Sequence, residues 1–369
     1  MIDEKLLKNE ERAVFALRSL YRSFGYLPYK MSKFEEYDLY QRNKDFLVSD
    51  RIITFTDTNG KLMALKPDVT LSIIKNGEDA PGVKQKVCYD ENVYRVSGRT
   101  HEFRELTQAG LECIGDVDLY DIFEVVSLAA RSLALISEDY VLDVAHLGVL
   151  AAFMDEIGAD DRLRREIAGC IAGKNRHELM HVCREHGVAE EWIGILCRFV
   201  GIYGDMEHVL AELGEICVCD SAKEALGQLR ALSDLLRGAG LADHVRFDFS
   251  IVNDMNYYNG IVFKGFLSGI CEGGLSGGQY DQLMRRLGRR SGAVGFALYL
   301  DLLEGLEPTG KDSDVDVLVL YHDRTDAAEL VRTVQKLTGA GYCVSVQKAI
   351  PAKLRYRKLL DLRKEDEPK

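Results

Sequence analysis

Residues 103–115 read FRELTQAGLECIG, and the alternation in this stretch decides how its neighbours fold. In an extended strand, successive side chains point to opposite faces. One face then carries Arg104, Leu106, Gln108, Gly110 and Glu112, and the other Glu105, Thr107, Ala109 and Leu111. A partner strand is expected at 87–96 (VCYDENVYRV), joined through the polar, glycine-containing 97–101. Upstream, 51–56 and 61–65 flank Asp57-Thr-Asn-Gly60, whose Asn-Gly pair favours a tight hairpin turn.

Working outward, 5–24 has apolar residues near helical spacing (Leu6, Leu7, Val14, Leu17, Leu20, Tyr21) and stops at Gly25. Residues 117–137 predict a long amphipathic helix and 139–146 a strand. Between 148 and 240, Leu, Ala, Glu and Arg recur with helical periodicity, which predicts an all-helical insert over about 150–240. Strands are expected again at 245–251 and 260–267, then a glycine-rich stretch over 272–278, then an apolar helix over 292–305. The segment 307–313, with its Pro and Gly, is the clearest linker. Beyond it, 314–321, 325–339 and 342–346 predict one βαβ unit. Lys353, Arg355, Arg357 and Lys358 in the charged tail read as a solvated helix face. The fold class is therefore α+β: an antiparallel sheet flanked by helices over 1–308, and a short α/β unit over 312–369.

Composition narrows the function. The chain has 369 residues, a net charge of −12, 47% hydrophobic and 29% charged residues, values of an ordered globular protein. The acidic balance argues against a dedicated DNA coat or a polybasic membrane binder. No proline falls between Pro81 and Pro308, which favours regular elements. The N-terminus is charged from residue 3 and has no apolar core of a secretory signal. No stretch approaches the roughly 20 apolar residues of a membrane span. The nine cysteines are scattered and odd in number, a usage that suits reduced thiols in a cytoplasm. Cys217-Val-Cys219 has the wrong spacing for a zinc knuckle. His177 and His181, at helical i, i+4 spacing with His186 nearby, lack the residues that complete a zinc motif. No Gly-Lys-Ser/Thr follows Gly273, Gly274, Gly277 and Gly278, so a phosphate-binding P-loop is not expected.

The polar strand faces hold the candidate chemistry. Asp68 and Thr70 lie two residues apart after a strand. Gln108 and Glu112 share the face described above with the cation Arg104, and Arg95 supplies a second cation. Tyr257, Tyr258 and Tyr280 place phenols beside flexible backbone. A free amino acid needs acceptors for its ammonium, a cation for its carboxylate and a wall that discriminates its side chain, and this set contains all three. Spacing alone favours a half-exposed sheet with a surface salt-bridge network over a pocket, and periodicity does not settle between them.

The same residues carry a resemblance. Tyr94-Arg95, followed by His101-Glu-Phe-Arg104-Glu-Leu-Thr-Gln108-Ala-Gly-Leu-Glu112-Cys-Ile-Gly115, resembles motif 2 of class II aminoacyl-tRNA synthetases in its histidyl form. Leu65-Lys-Pro-Asp68-Val-Thr70 is similar to that family's Leu-Arg-Pro-Glu-Gly-Thr segment, and 251–263 to its histidyl-specific Tyr-Tyr signature. Gly277-Gly-Gln-Tyr-Asp281 resembles the Gly-Gly-Arg-Tyr-Asp element, and 295–303 motif 3. The likeness covers about 8–305, with the helical insert in the family's place.

What the resemblance implies is a histidine pocket made of Asp68, Thr70, Arg95, Gln108, Glu112, Tyr257, Tyr258 and Tyr280. It also implies losses. Asn253 stands where the family has a catalytic arginine, Gln279 replaces the arginine of Gly-Gly-Arg, and Leu302 falls at the motif 3 arginine used on ATP phosphate. Removing a preorganised group at such a centre typically lowers the rate roughly 10²–10³-fold. A disarmed synthetase body with about half of the usual anticodon-binding unit resembles the regulatory-subunit family of ATP phosphoribosyltransferases. That resemblance implies no catalytic residues, metal or cofactor and no tRNA or membrane partner. It implies instead a dimer that joins the short-form ATP phosphoribosyltransferase catalytic subunit in a cytoplasmic hetero-octamer, with an allosteric response to L-histidine. A divergent histidyl-tRNA synthetase, an adenylate-forming paralogue and a scaffold with a vestigial pocket remain open alternatives.

Overall fold

Asp118 opens the helix against which the main sheet is built. Its carboxylate accepts the N–H groups of Tyr120 and Asp121, and Asp121 returns a bond to the Asp118 N–H, a complete capping box. These facts come from a computed structural model that describes residues 9–43, 52–77, 82–96, 100–254, 257–270, 273–305 and 313–364. Residues 97–99, Asn256, Cys271 and 306–312, all used in reading the sequence, lie outside them. The chain divides into two compact units, Met1–Leu306 and Glu307–Lys369.

The first unit begins with α1 (Asn9–Ser23), β1 (Leu27–Pro28), β2 (Phe34–Glu36) and α2 (Tyr37–Arg42). Next come β3 (Thr54–Thr56), β4 (Leu62–Leu65), α3 (Thr70–Asn76), β5 (Gln85–Val96), β6 (Phe103–Gly115), α4 (Leu119–Ala134) and β7 (Tyr140–His146). The insert holds α5 (Leu147–Glu156), α6 (Asp161–Ala172), α7 (Arg176–Glu185), α8 (Glu190–Gly201), β8 (Tyr203–Asp205), α9 (Met206–Ile216) and α10 (Asp220–Gly238). The unit ends with β9 (Val245–Asp248), β10 (Ile261–Leu267), β11 (Leu275–Gln279), α11 (Asp281–Arg286) and β12 (Gly292–Tyr299). Nine strands form one sheet in the order β1-β5-β6-β12-β11-β10-β7-β9-β8. Its pairs are antiparallel except β1 with β5 and β7 with β9. A small antiparallel sheet, β2-β4-β3, stands beside it, and Gly60 at φ 80 makes its expected turn.

One face of the large sheet, with Leu111, Leu142, Val144, Phe263 and Phe296, packs on α1 and α4 in a continuous apolar core. The other face carries Gln108 and Glu112. Along it, Glu112 lies opposite Gly295 on β12, and Gly295 opposite Gly278 on β11. A second cluster under β5 and α3 closes around Tyr40, Leu71, Ile73, Val87, Tyr89 and Tyr280. The second unit is the three-stranded parallel sheet β14 (Val344–Gln347), β13 (Val315–Leu320) and β15 (Tyr356–Asp361), with α12 (Ala327–Gly339) between β13 and β14.

Four expectations need correction. The 292–305 stretch is not a helix: Gly292–Tyr299 is a central strand, and only Leu300–Gly305 turns as a 3-10 helix. A strand buried on both faces is apolar throughout and shows no period of two. The glycine-rich segment contains strand β11, because Gly277 sits where a Cβ would come 2.4 Å from Gly295 O and 2.5 Å from Phe296 Cβ. The insert is not purely helical, since Tyr203–Asp205 pairs with β9 and extends the main sheet. The basic tail is not a helix face: Arg357 and Lys358 lie on the edge strand β15 and Lys353 and Arg355 precede it, with Arg355 paired to Asp314 at 2.9 Å and Arg357 to Asp316 at 3.5 Å.

Candidate functional site

The centre of the site is a carboxyl with almost no access to water. Glu112 on β6 is 2% exposed. Its Oε1 accepts the Thr70 hydroxyl at 2.7 Å, and its Oε2 accepts the Tyr280 hydroxyl at 2.5 Å. Burial drives its pKa up, the two hydroxyl bonds pull it back and the nearby charge of Asp68 pushes it up again, which leaves it raised to about 8. Room for this side chain comes from the facing strand, where a Cβ on Gly295 would lie 1.7 Å from Glu112 Oε2.

Thr70 reaches Glu112 because β4 ends at Leu65 and Lys66-Pro67-Asp68 leads directly into α3. Lys66 has no exposed surface, and its Nζ donates to Glu91 Oε2 at 2.9 Å. Burial lowers its pKa. Its carbonyl accepts the Tyr94 N–H at 2.8 Å, so the connection is bound to β5. Asp68 Oδ1 accepts the Leu71 N–H at 2.9 Å. Burial still raises the Asp68 pKa, against that bond and the charges of Arg95 and Lys66. Arg95 is itself oriented by donating Nε to Pro67 O at 3.0 Å.

The phenols complete the wall. The Tyr257 ring lies 4.6 Å from that of Tyr258 and 5.9 Å from that of Tyr280, and its hydroxyl bonds to Thr70. Burial, and then neighbouring acidic and phenolic groups, hold Tyr257 and Tyr280 far above the ordinary phenol range, so both are neutral donors. Gln108 is buried on the same strand face as Glu112, toward the tip of the hairpin. Thus Asp68, Thr70, Glu112, Tyr257 and Tyr280 form one polar nest, with Tyr258 packed against Gly278 at its edge and Arg95 and Gln108 flanking it.

An adjoining cavity of about 310 Å³ is lined by Arg95, Arg104, Leu106, Tyr299, Asp301 and Leu302 among others. Arg95 and Arg104 face each other across the β5–β6 pair. Like charges in that relation repel, so the place suits an anionic group. Leu302 contributes only carbon to the same wall. Gln279, by contrast, is half-buried and spent on the backbone: its Oε1 accepts the Ile261 N–H at 2.8 Å. Asn253 lies in the 3-10 turn Phe249–Asp254, and its side chain falls outside the described residues.

Several contributors escaped the sequence. Tyr89 lies opposite Gly110 and donates to Phe296 O at 3.3 Å, bracing the floor between β5 and β12. Gly110 and Gly295 make space for Tyr89 and Glu112 respectively. Only the strand register reveals these roles. Other candidates stay structural. His177 and His181 lie on α7, where His181 approaches Glu185 at 3.7 Å. Among the described residues no group of three His, Cys, Asp or Glu is placed to hold a metal, and no helix is long and apolar enough to cross a membrane.

A mostly antiparallel sheet with helices behind it, and a polar nest on its open face fed by the β5–β6 hairpin, defines a class II synthetase-like body. A family model described as Histidyl-tRNA synthetase matches residues 2–303, and the chain belongs to that family. A protein of Clostridium kluyveri called ATP phosphoribosyltransferase regulatory subunit is 27% identical over 345 residues, 89% of this chain and 87% of its own length. A crystal structure from Bacillus halodurans, described as an ATP phosphoribosyltransferase regulatory subunit/histidyl-tRNA synthetase, shares the fold with a TM-score of 0.78 at 20% identity, covering 96% of this chain and 93% of that one. A chain of the ATP phosphoribosyl transferase (HisG:HisZ) complex from Thermotoga maritima shares it at a TM-score of 0.62 and 19% identity, over 79% of this chain and 97% of that one.

Proposed function

We propose that this chain is a non-catalytic regulatory subunit of ATP phosphoribosyltransferase that binds L-histidine on the open face of its sheet. It works with a short-form catalytic subunit at the first step of L-histidine biosynthesis. The observation that carries this reading is a contrast within one continuous site. Asp68, Thr70, Glu112, Tyr257 and Tyr280 form a closed set of acceptors and donors, whereas the adjoining cavity keeps Arg95 and Arg104 but has Leu302 in its wall, at the position where the synthetase resemblance places a further cation for the ATP phosphates.

In this reading the ammonium of histidine pairs with Asp68 and its carboxylate with Arg95. Gln108 borders the ligand, and the imidazole meets Glu112 and the three phenols. A buried carboxyl such as Glu112 favours a ligand that brings an N–H donor or a positive charge. Relatives named as regulatory subunits align over most of both chains, which supports the partnership. Ligand at this site biases the complex by a coupling free energy of about 1–3 kcal/mol, which acts equally on histidine affinity. The assembly is a cytoplasmic hetero-octamer built on dimers of this chain. The body over 1–308 acts without tRNA, and 312–369 is an anticodon-binding-like unit.

The test is co-purification with a short-form catalytic subunit, followed by assay of ATP phosphoribosyltransferase activity with and without histidine. Activity that depends on this chain and responds to histidine is expected. A catalytic subunit indifferent to this chain, or robust histidine-dependent ATP–pyrophosphate exchange by this chain alone, overturns the reading.

A further inference from the structure

The turn that brings Tyr257 and Tyr258 to the pocket leaves the sheet at an awkward place. The β10–β11 register reaches Val262 opposite Gly278. One residue earlier, the Ile261 N–H meets a side chain instead of the facing backbone: Gln279 Oε1 accepts it at 2.8 Å. The backbone carbonyl of the same Gln279 accepts the Asn259 N–H at 3.0 Å. Gln279 therefore grips the turn at two points, two residues apart. Glycines make this grip possible on both sides. A Cβ on Gly260 would lie 2.1 Å from Gln279 Oε1, and one on Gly278 would lie 2.7 Å from Ile261 O and 2.8 Å from the Tyr258 ring. The Asn259 amide adds a bond to Asp281 Oδ2 at 3.2 Å, and Asn259 Oδ1 accepts the Gln282 N–H at 3.3 Å.

We infer that Gln279 is a positioning residue for the amino-acid pocket, one that fastens the turn carrying Tyr257 and Tyr258 to the strand that delivers Tyr280. It touches no part of the ligand nest itself. Its neighbour Tyr280 donates to Glu112, and the turn it holds places Tyr257 on Thr70. The clamp needs an acceptor of this length. An arginine has only donors and cannot receive the Ile261 N–H, so the glutamine here performs a task that an arginine cannot. The inference rests on the reading of the pocket as a histidine site.

The experiment uses the full chain and L-histidine as ligand. Calorimetric affinity is measured for wild type, Gln279→Met, Gln279→Arg and Gln279→Glu, together with hydrogen exchange over 257–263. Methionine and arginine remove the acceptor, whereas glutamate keeps it. Gln279→Met and Gln279→Arg are expected to weaken histidine binding about tenfold or more and to speed exchange, while Gln279→Glu stays within about threefold of wild type. Wild-type affinity in Gln279→Met overturns the inference, as does a Gln279→Glu variant as weak as Gln279→Met. A wild type that binds no histidine overturns the reading of the pocket instead. The clamp is then judged on exchange alone, and equal exchange in wild type and Gln279→Met overturns it.

Discussion

Gly295 faces Glu112 so closely that a single added methyl would lie 1.7 Å from the Glu112 carboxylate. The two residues are register partners on β12 and β6, both in the middle of the sheet, so neither strand can yield. Gly295→Ala is therefore expected to expel the carboxylate from its place between Thr70 and Tyr280. Histidine binding measured by calorimetry should fall below detection, and the melting temperature should drop by an amount matching an overpacked core, about 1–3 kcal/mol. Histidine affinity unchanged in Gly295→Ala would show that Glu112 does not touch the ligand.

Glu112→Gln keeps the shape of the side chain and one acceptor oxygen but cannot carry charge. A ligand whose donor group gains from a carboxylate should bind this variant more weakly, by about 1.5–3 kcal/mol if the lost bond is charge-assisted. In the assembled transferase, the histidine concentration that gives half of the effect on activity should rise by the same factor as the dissociation constant. A proportional rise ties regulation to this pocket. A rise in the dissociation constant with an unmoved regulatory response places feedback elsewhere.

The distribution of what was legible follows from physics. Alternation along β6 put Gln108 and Glu112 on one face, and Asn59-Gly60 marked the β3–β4 hairpin, because half-buried strands and tight turns leave local signatures. The strand β12 left none: GAVGFALY is apolar on both faces, and such a run is equally compatible with a buried helix. The glycines of β11 read as flexible backbone beside the phenols, yet at Gly277 and Gly278 they mark close approach of neighbouring strands and of the Tyr258 ring. Tyr89 and Gly295 could not be found from either strand alone, since their roles depend on what register places opposite them. The exchange at Gln279 was visible, but its meaning as a backbone clamp depended on where β10 ends.

The Glu112 carboxyl makes stability depend on pH. Its folded pKa of about 8 stands above the ordinary value of 4.5, so the folded state holds the proton more tightly than the unfolded chain. This contribution is fully present below pH 4.5 and is lost progressively up to about pH 8, with a slope of at most about 1.4 kcal/mol per pH unit. Thermal melting of wild type and Glu112→Gln across pH 5.5–8 isolates it. Wild type should lose stability relative to the variant as pH rises, and parallel curves would show that Glu112 is ionised throughout.

Lys66 and Glu91 form an ion pair in which the lysine has no exposed surface and the glutamate very little, with Nζ and Oε2 2.9 Å apart. Removing one partner strands the other charge in a desolvated place, typically at a cost of about 3–5 kcal/mol, whereas replacing both with neutral groups of similar volume is often near neutral. Lys66→Met is thus expected to destabilise strongly, and Lys66→Met combined with Glu91→Gln to recover most of the loss in denaturant unfolding. The pair also bears on the pocket, because the Lys66 carbonyl is tied to Tyr94 and Asp68 follows two residues later. Histidine affinity should therefore fall in the single variant and return with stability in the double variant. Affinity that stays low after stability is restored would mean that the lysine charge, rather than the fold of the Lys66-Pro67-Asp68 connection, supports the ligand.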